Sequence, residues 1–187
     1  MLAMRYTTFF AILCLLCLVG CTPEPVVRPG IPDPAVEKQE VLEQVTILEV
    51  SGKKDDASSE VAVEQAVTNL IERGVRIEPQ LIDTLSSTTS SAKRMGLIHV
   101  LNSIGTAAST EAMIGCLNDS DPKVVLMADV WLIKQHPSAK SIVETMVPPM
   151  PTDDSMESLK TYCSLHANRR QIAWSTWWKT SGPKKSR

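Results

Sequence analysis

The residues whose side chains could do chemistry are few and scattered in this 187-residue chain. The three histidines, His99, His136 and His166, lie far apart, and the sequence has no HExxH motif and no His pair at i and i+4. Zinc sites need several such ligands at close spacing, and phosphate sites need a glycine-rich loop that is also missing from the sequence. We therefore predict no metal, no cofactor and no catalytic residue.

Asp119 and Asp121 are the closest approach to a carboxylate pair for acid–base chemistry. Asp121 precedes Pro122, and Asp before Pro is the common start of a helix, because Asp caps the first amides and Pro has none to leave unpaired. A capping role therefore explains this turn best. An envelope enzyme or enzyme subunit, with an unrecognised site near His99 or near this turn, stays open as an alternative.

Cys21 follows an apolar segment at the N-terminus. Residues 9–19 are apolar and Arg5 precedes them. A helix of this length covers only about half of a ~30 Å hydrocarbon core, so it fits a secretory signal better than a membrane span. The segment ends Leu18-Val19-Gly20-Cys21, which resembles the bacterial lipobox.

The lipobox resemblance implies a signal peptide over residues 1–20, cleaved between Gly20 and Cys21, and a lipidated Cys21 as the membrane contact. Thr22 follows where Asp would favour the inner membrane, so the resemblance implies the outer membrane, facing the periplasm. An uncleaved anchor is the alternative. Residues 21–34 then form a lipid anchor and tether whose five prolines predict an extended spacer reaching about 40 Å; these are Pro23, Pro25, Pro29, Pro32 and Pro34.

Beyond the tether, a recurrence of 31 residues places Leu70, Leu101 and Leu132 in register. Two apolar helical faces per unit are typical of stacked helix pairs. The spacing predicts an all-α fold. Its helices are expected at residues 35–50, 60–73, 79–85, 91–104, 109–117, 122–135, 138–146, 155–166 and 167–180, with a short strand at 45–50 as the alternative for the end of the first.

The run DSDPKVVLMADVWLI resembles the first helix of a HEAT-like repeat, and SAKRMGLIHVLNSIG fits the same frame, with Arg94 where that family often has arginine. The resemblance covers residues 60–147. It implies a short HEAT-like α-solenoid of about three helix pairs plus flanking helices, in a domain over residues 35–182. Val125 replaces the arginine in the third unit, and an irregular helical bundle is the alternative.

Three of the four tryptophans lie near the C-terminus, at Trp174, Trp177 and Trp178. A terminal repeat has no neighbour to bury its outer face, so these rings are expected to close the core. We expect Trp177 to be partly exposed, which makes it the candidate partner-binding residue. Residues 183–187 form a basic tail.

The charge is divided unevenly along the chain. Residues 22–83 carry 13 acids and 6 bases, whereas residues 84–187 carry 8 acids and 12 bases. The sequence lacks the strong basic stripe that nucleic-acid binding needs, so no nucleic-acid partner is expected. Cys116 and Cys163 remain after signal cleavage, and a disulfide between them is left open.

Together these patterns favour a lipid-anchored binding or scaffold protein of the bacterial envelope, not an enzyme. Its helical repeat surface would contact an unknown protein partner. A structural lipoprotein that self-associates is the second alternative.

Overall fold

The computed structural model describes residues 33–50, 57–152 and 155–182. These residues form eight α-helices and no β-strand, which confirms the predicted all-α fold. The predicted signal peptide, the cleavage and lipidation residues Gly20 and Cys21, most of the tether and the basic tail lie outside the described residues. Pro34 begins a compact unit that contains these eight described helices.

After a first long helix, long and short helices alternate. A 3-10 turn, Gly74–Arg76, separates the second helix from the third. The helices are α1 (Pro34–Val50), α2 (Ala57–Arg73), α3 (Glu78–Ser87), α4 (Ser91–Ile104), α5 (Ala107–Cys116), α6 (Pro122–Gln135), α7 (Pro137–Met146) and α8 (Met156–Ser181). Since α1 is continuous to Val50, the strand alternative for its last residues is wrong.

The long central helices begin and end where the sequence predicts, because their caps are local. The Asp121 side chain accepts a hydrogen bond from the Lys123 amide at 2.9 Å and caps α6. Ser90 caps α4 in the same way, through the Lys93 amide. Gly105 then ends α4 with φ of +69°, a left-handed conformation that costs a residue with a Cβ roughly 1–2 kcal/mol.

The helices pack in chain order. Contacts join α2 to α4, α4 to α6 and α6 to α8, while α1 lies on α2 and α4. The short helix α3 packs on α4 and α5, and α7 packs on α6 and α8. One apolar cluster runs from Val41 in α1 to Trp177 in α8. This succession is compatible with stacked helix pairs, and the HEAT-like solenoid stays a prediction.

Glu78 joins two consecutive short helices. It lies buried in the first turn of α3, and its carboxylate accepts hydrogen bonds from the Ser109 amide at 3.0 Å and from the Thr106 hydroxyl. The amide belongs to the first turn of α5, where N–H groups lack helical partners and a negative charge is favourable. Glu78, from α3, therefore caps the N-terminus of α5.

The C-terminal region departs from the prediction. Residues 155–180 were expected to form two helices, but α8 is a single helix of 26 residues. Its sequence contains no glycine or proline, so nothing in it interrupts the backbone hydrogen bonds. The long helix contacts α5 as well as α6 and α7.

Candidate functional site

A concave site among the described helices is a groove of about 370 Å³ between α3 and α5. Three apolar side chains line it, Ile82 and Leu85 from α3 and Ala112 from α5. Polar groups stand beside them and include the hydroxyls of Ser86 and Thr88. Binding sites for small molecules span roughly 300–1,000 Å³, so this groove is at the small end and suits one or two side chains.

An ion pair forms one wall of the groove. Arg94, in the first turn of α4, donates from Nη2 to Asp119 Oδ1 at 3.0 Å, and its Nε lies 2.8 Å from Oδ2. Nη1 donates to the carbonyl of Thr88 at 3.0 Å. Both side chains are largely buried. The Nε–Oδ2 approach lacks hydrogen-bond geometry, so the pair is held by the Nη2 hydrogen bond and by the attraction of opposite charges. The sequence singled out Arg94, but only the structure shows its partner.

Asp119 also shapes the turn that leads into α6. Its Oδ1 accepts from the Asp121 amide at 2.8 Å. Burial would raise the pKa of Asp121, but hydrogen bonds from Ser91 and from the Lys123 amide, together with the charges of Arg94 and Lys123, lower it. Both carboxylates are therefore engaged in turn and capping contacts, as the sequence indicated for this pair.

Cys116 lies at the end of α5, where it lines the same groove. Burial and, to a lesser degree, the charge of Asp119 raise the pKa of its thiol to about 12. Only a thiolate attacks as a nucleophile, so Cys116 stays protonated and packs as a small apolar group at neutral pH. Cys163, on α8, also has its pKa raised by burial, and both cysteines are free thiols.

Gly115 leaves part of the groove open. A Cβ built on it would meet no atom within 4 Å, so packing does not require glycine there. Its φ is not positive either, since Gly74 and Gly105 are the positive-φ glycines among the described residues. A helical glycine costs about 0.5–1 kcal/mol relative to alanine. Because Gly115 has no side chain, this wall of the groove stays open.

The tryptophans lie differently from the prediction. Trp177 is only 5 % exposed and packs edge-on against the buried Trp174, so the expectation that it is partly exposed is wrong. Trp178 is the more accessible ring, and its Nε1 donates to Glu111 at 3.2 Å. The cause is the helical position of Trp177, which shares the buried face of Trp174 and Arg170. A ring this deeply buried offers a partner almost no surface.

A buried polar network beside these rings was not predicted from the sequence. Arg170 donates from Nε and Nη2 to the two carboxylate oxygens of Asp129, at 2.6 and 2.7 Å, and Trp174 Nε1 donates to Asp129 at 2.9 Å. Arg170 Nη1 also donates to the Tyr162 hydroxyl at 3.2 Å. Burial alone would lower the pKa of Arg170, but Asp129 raises it above the ordinary value. The one available signal was a lone acid, Asp129, within an apolar helical run.

The histidines do not converge on a common site. His99 is exposed on α4, with its ring 5.8 Å from that of Trp131. His136 lies at the α6–α7 junction against Trp177 and Trp178, and burial lowers its pKa. His166 stacks near Tyr162. Within the part of the chain that the structure describes, no cluster of three His, Cys, Asp or Glu side chains is arranged to hold a metal ion.

The chain matches no protein-family model, no curated protein and no solved structure. Among residues 33–50, 57–152 and 155–182, no helix has both the length and the apolar character needed to cross a membrane.

Proposed function

We propose that this chain is a lipid-anchored protein of the bacterial envelope whose HEAT-like helical unit binds a segment of another protein. The α3–α5 groove is the observation that carries the binding role. Attachment at Cys21 is supported by the lipobox at residues 18–21, and a periplasm-facing position at the outer membrane by Thr22. The protein would work as a scaffold and not as an enzyme.

The chemistry of the groove favours a neutral segment with an apolar anchor. Arg94 and Asp119 neutralise each other, so the groove presents no net charge from this pair. Ile82, Leu85 and Ala112 supply apolar contact. Hydroxyl and amide groups at the rim can pair with the backbone of an extended peptide, which is how grooves of this kind orient a bound segment.

A substitution at Gly115 can test the groove without unfolding the protein, because a side chain there meets open space. We expect Gly115→Leu to fill the groove and weaken partner binding at least about tenfold, equivalent to 1.4 kcal/mol. The measurement is crosslinking in intact cells from a photoreactive amino acid placed at Ser86, on the groove rim. A defined adduct should form at Ser86 and disappear in the Gly115→Leu background.

Two controls accompany the crosslinking experiment. Gly115→Ala, which adds one methyl to open space, should keep the adduct and slightly stabilise α5. The same photoreactive residue at Ser141, exposed on α7, should not give that adduct. An adduct that persists unchanged in Gly115→Leu would remove the groove from the proposal.

The membrane attachment has its own test. Metabolic labelling with a fatty-acid analogue should mark the wild-type chain, and Cys21→Ser should lose the label because serine offers no thiol for acylation. Cys116→Ser serves as the matched control and should be labelled like the wild type. Equal labelling of the Cys21→Ser chain would rule out the lipid anchor.

A further inference from the structure

The outer side of α8 carries a stripe of exposed side chains, of which Arg169 donates from Nη2 to the Met146 carbonyl at 3.4 Å. Leu165, Arg169, Ile172 and Lys179 are separated by four, three and seven residues, which places them along one helical face. Leu165 is 65 % exposed and Ile172 is 57 % exposed, and both cations are exposed as well. We call these four residues the outer stripe. The opposite face of α8 holds Arg170, Trp174 and Trp177 in the core.

The charge of α8 is strongly biased. The helix contains four Lys or Arg residues and one acid, Glu157. Arg170 is buried against Asp129, which leaves Lys160, Arg169 and Lys179 toward solvent. In sequence, Lys184, Lys185 and Arg187 follow directly. The outer stripe therefore combines apolar side chains with positive charge, and the sequence that follows α8 is also basic.

We propose that the outer stripe of α8 lies on an anionic lipid surface. Interfacial helices of this kind insert apolar side chains at the headgroup boundary while neighbouring cations pair with lipid phosphates. Charge complementarity favours lipid because each cation near an anionic leaflet strengthens binding about fivefold. The stripe is one helix wide and holds two apolar side chains, a small area for a stable protein interface, which typically buries roughly 800 Å² per partner.

This inference goes beyond the proposed groove function and does not require acylation. A lipid anchor at Cys21 would hold the unit near a bilayer, but the stripe would bind lipid by itself. The test therefore uses residues 22–187 made without the signal segment, which contain the whole compact unit. Lipid binding by this unacylated chain and labelling of Cys21 can succeed or fail independently.

The probe is co-sedimentation with vesicles of phosphatidylcholine containing phosphatidylglycerol, compared with vesicles of phosphatidylcholine alone. Binding should require the anionic lipid and decrease as salt is added. The double variant Arg169→Gln/Lys179→Gln should lower the partition coefficient about 25-fold, at about fivefold per charge. Leu165→Ser/Ile172→Ser should lower it at least about tenfold.

The matched control is Val61→Ser/Val75→Ser. These valines are 66 % and 61 % exposed, on α2 and on the turn after it, so they test surface apolarity without the stripe. The control should bind vesicles like the wild type, and all variants should keep the wild-type melting temperature because the altered side chains are exposed. Failure of the wild type to bind anionic vesicles, or equal losses in control and stripe variants, would overturn the proposal. So would a salt-sensitive oligomer in sedimentation velocity that the stripe variants abolish, since a second copy would then be the occupant.

Discussion

Replacing Asp129 with asparagine should lower the free energy of unfolding by about 3–5 kcal/mol, the cost of leaving one charge of a buried pair without its partner. Arg170 is 1 % exposed and would keep its charge without a carboxylate to neutralise it. The substitution preserves the size of the side chain, so the loss reports charge and hydrogen bonding. Chemical unfolding followed by far-UV circular dichroism measures the difference.

Two further variants separate the ion pair from the packing around it. Asp129→Leu/Arg170→Met removes both charges and should recover to within about 1–3 kcal/mol of the wild type. The remaining cost arises because Trp174 Nε1 loses its acceptor, while the Tyr162 hydroxyl and the Pro148 carbonyl each lose a donor. Glu40→Gln removes one partner of the Arg73–Glu40 pair, which is partly exposed, and should cost less than about 1 kcal/mol. If Asp129→Asn proves no more costly than Glu40→Gln, the buried network does not stabilise the junction of α6 and α8.

The second large effect is expected at Trp174. Trp174→Ala should cost about 3–5 kcal/mol because the side chain is fully buried and its removal leaves a cavity. Trp178→Ala should cost about 1–2 kcal/mol, since this ring is only partly buried and its hydrogen bond to Glu111 is exposed. Thermal and urea unfolding of both variants give the comparison.

The ranking of the tryptophans is the decisive outcome. A larger loss for Trp178→Ala than for Trp174→Ala would mean that α8 is rotated relative to the buried face described above. Ile172→Ala provides a baseline on the same helix, because that side chain is exposed and its removal should change stability by less than about 0.5 kcal/mol. Both tryptophan variants should exceed that baseline.

Local patterns predicted the helices well because their causes lie within a few residues. The Asp121–Pro122 start and the Gly105 end were readable from the sequence, and both appear at the predicted positions. The prediction failed at residues 166–167, where a helix boundary was expected although no helix-breaking residue lies there. Length and periodicity can suggest such a boundary, but only a cap or a break in hydrogen bonding creates one.

The groove was less predictable than the helices that form it. Arg94 was singled out by its position in the HEAT-like pattern. Its partner Asp119 lies 25 residues further along the chain, in the turn after α5, so no local pattern indicates the contact. Gly115 carried no signal, because an open space beside a glycine exists only once α3 and α5 are packed. The exposure of Trp177 was mispredicted for a related reason, since the sequence does not show how α8 is rotated against its neighbours.

By itself, the sequence determined the all-α character of this protein and most helix ends, since backbone propensity, capping and apolar periodicity act over one or two turns. Tertiary structure alone decided which polar residues are buried together, as for Asp129, Arg170 and Trp174. It also decided that Leu165 and Ile172 face outward while Trp177 faces inward. The reason is that burial and long-range hydrogen bonds depend on the rotation of each helix against several others, which no local stretch of sequence specifies.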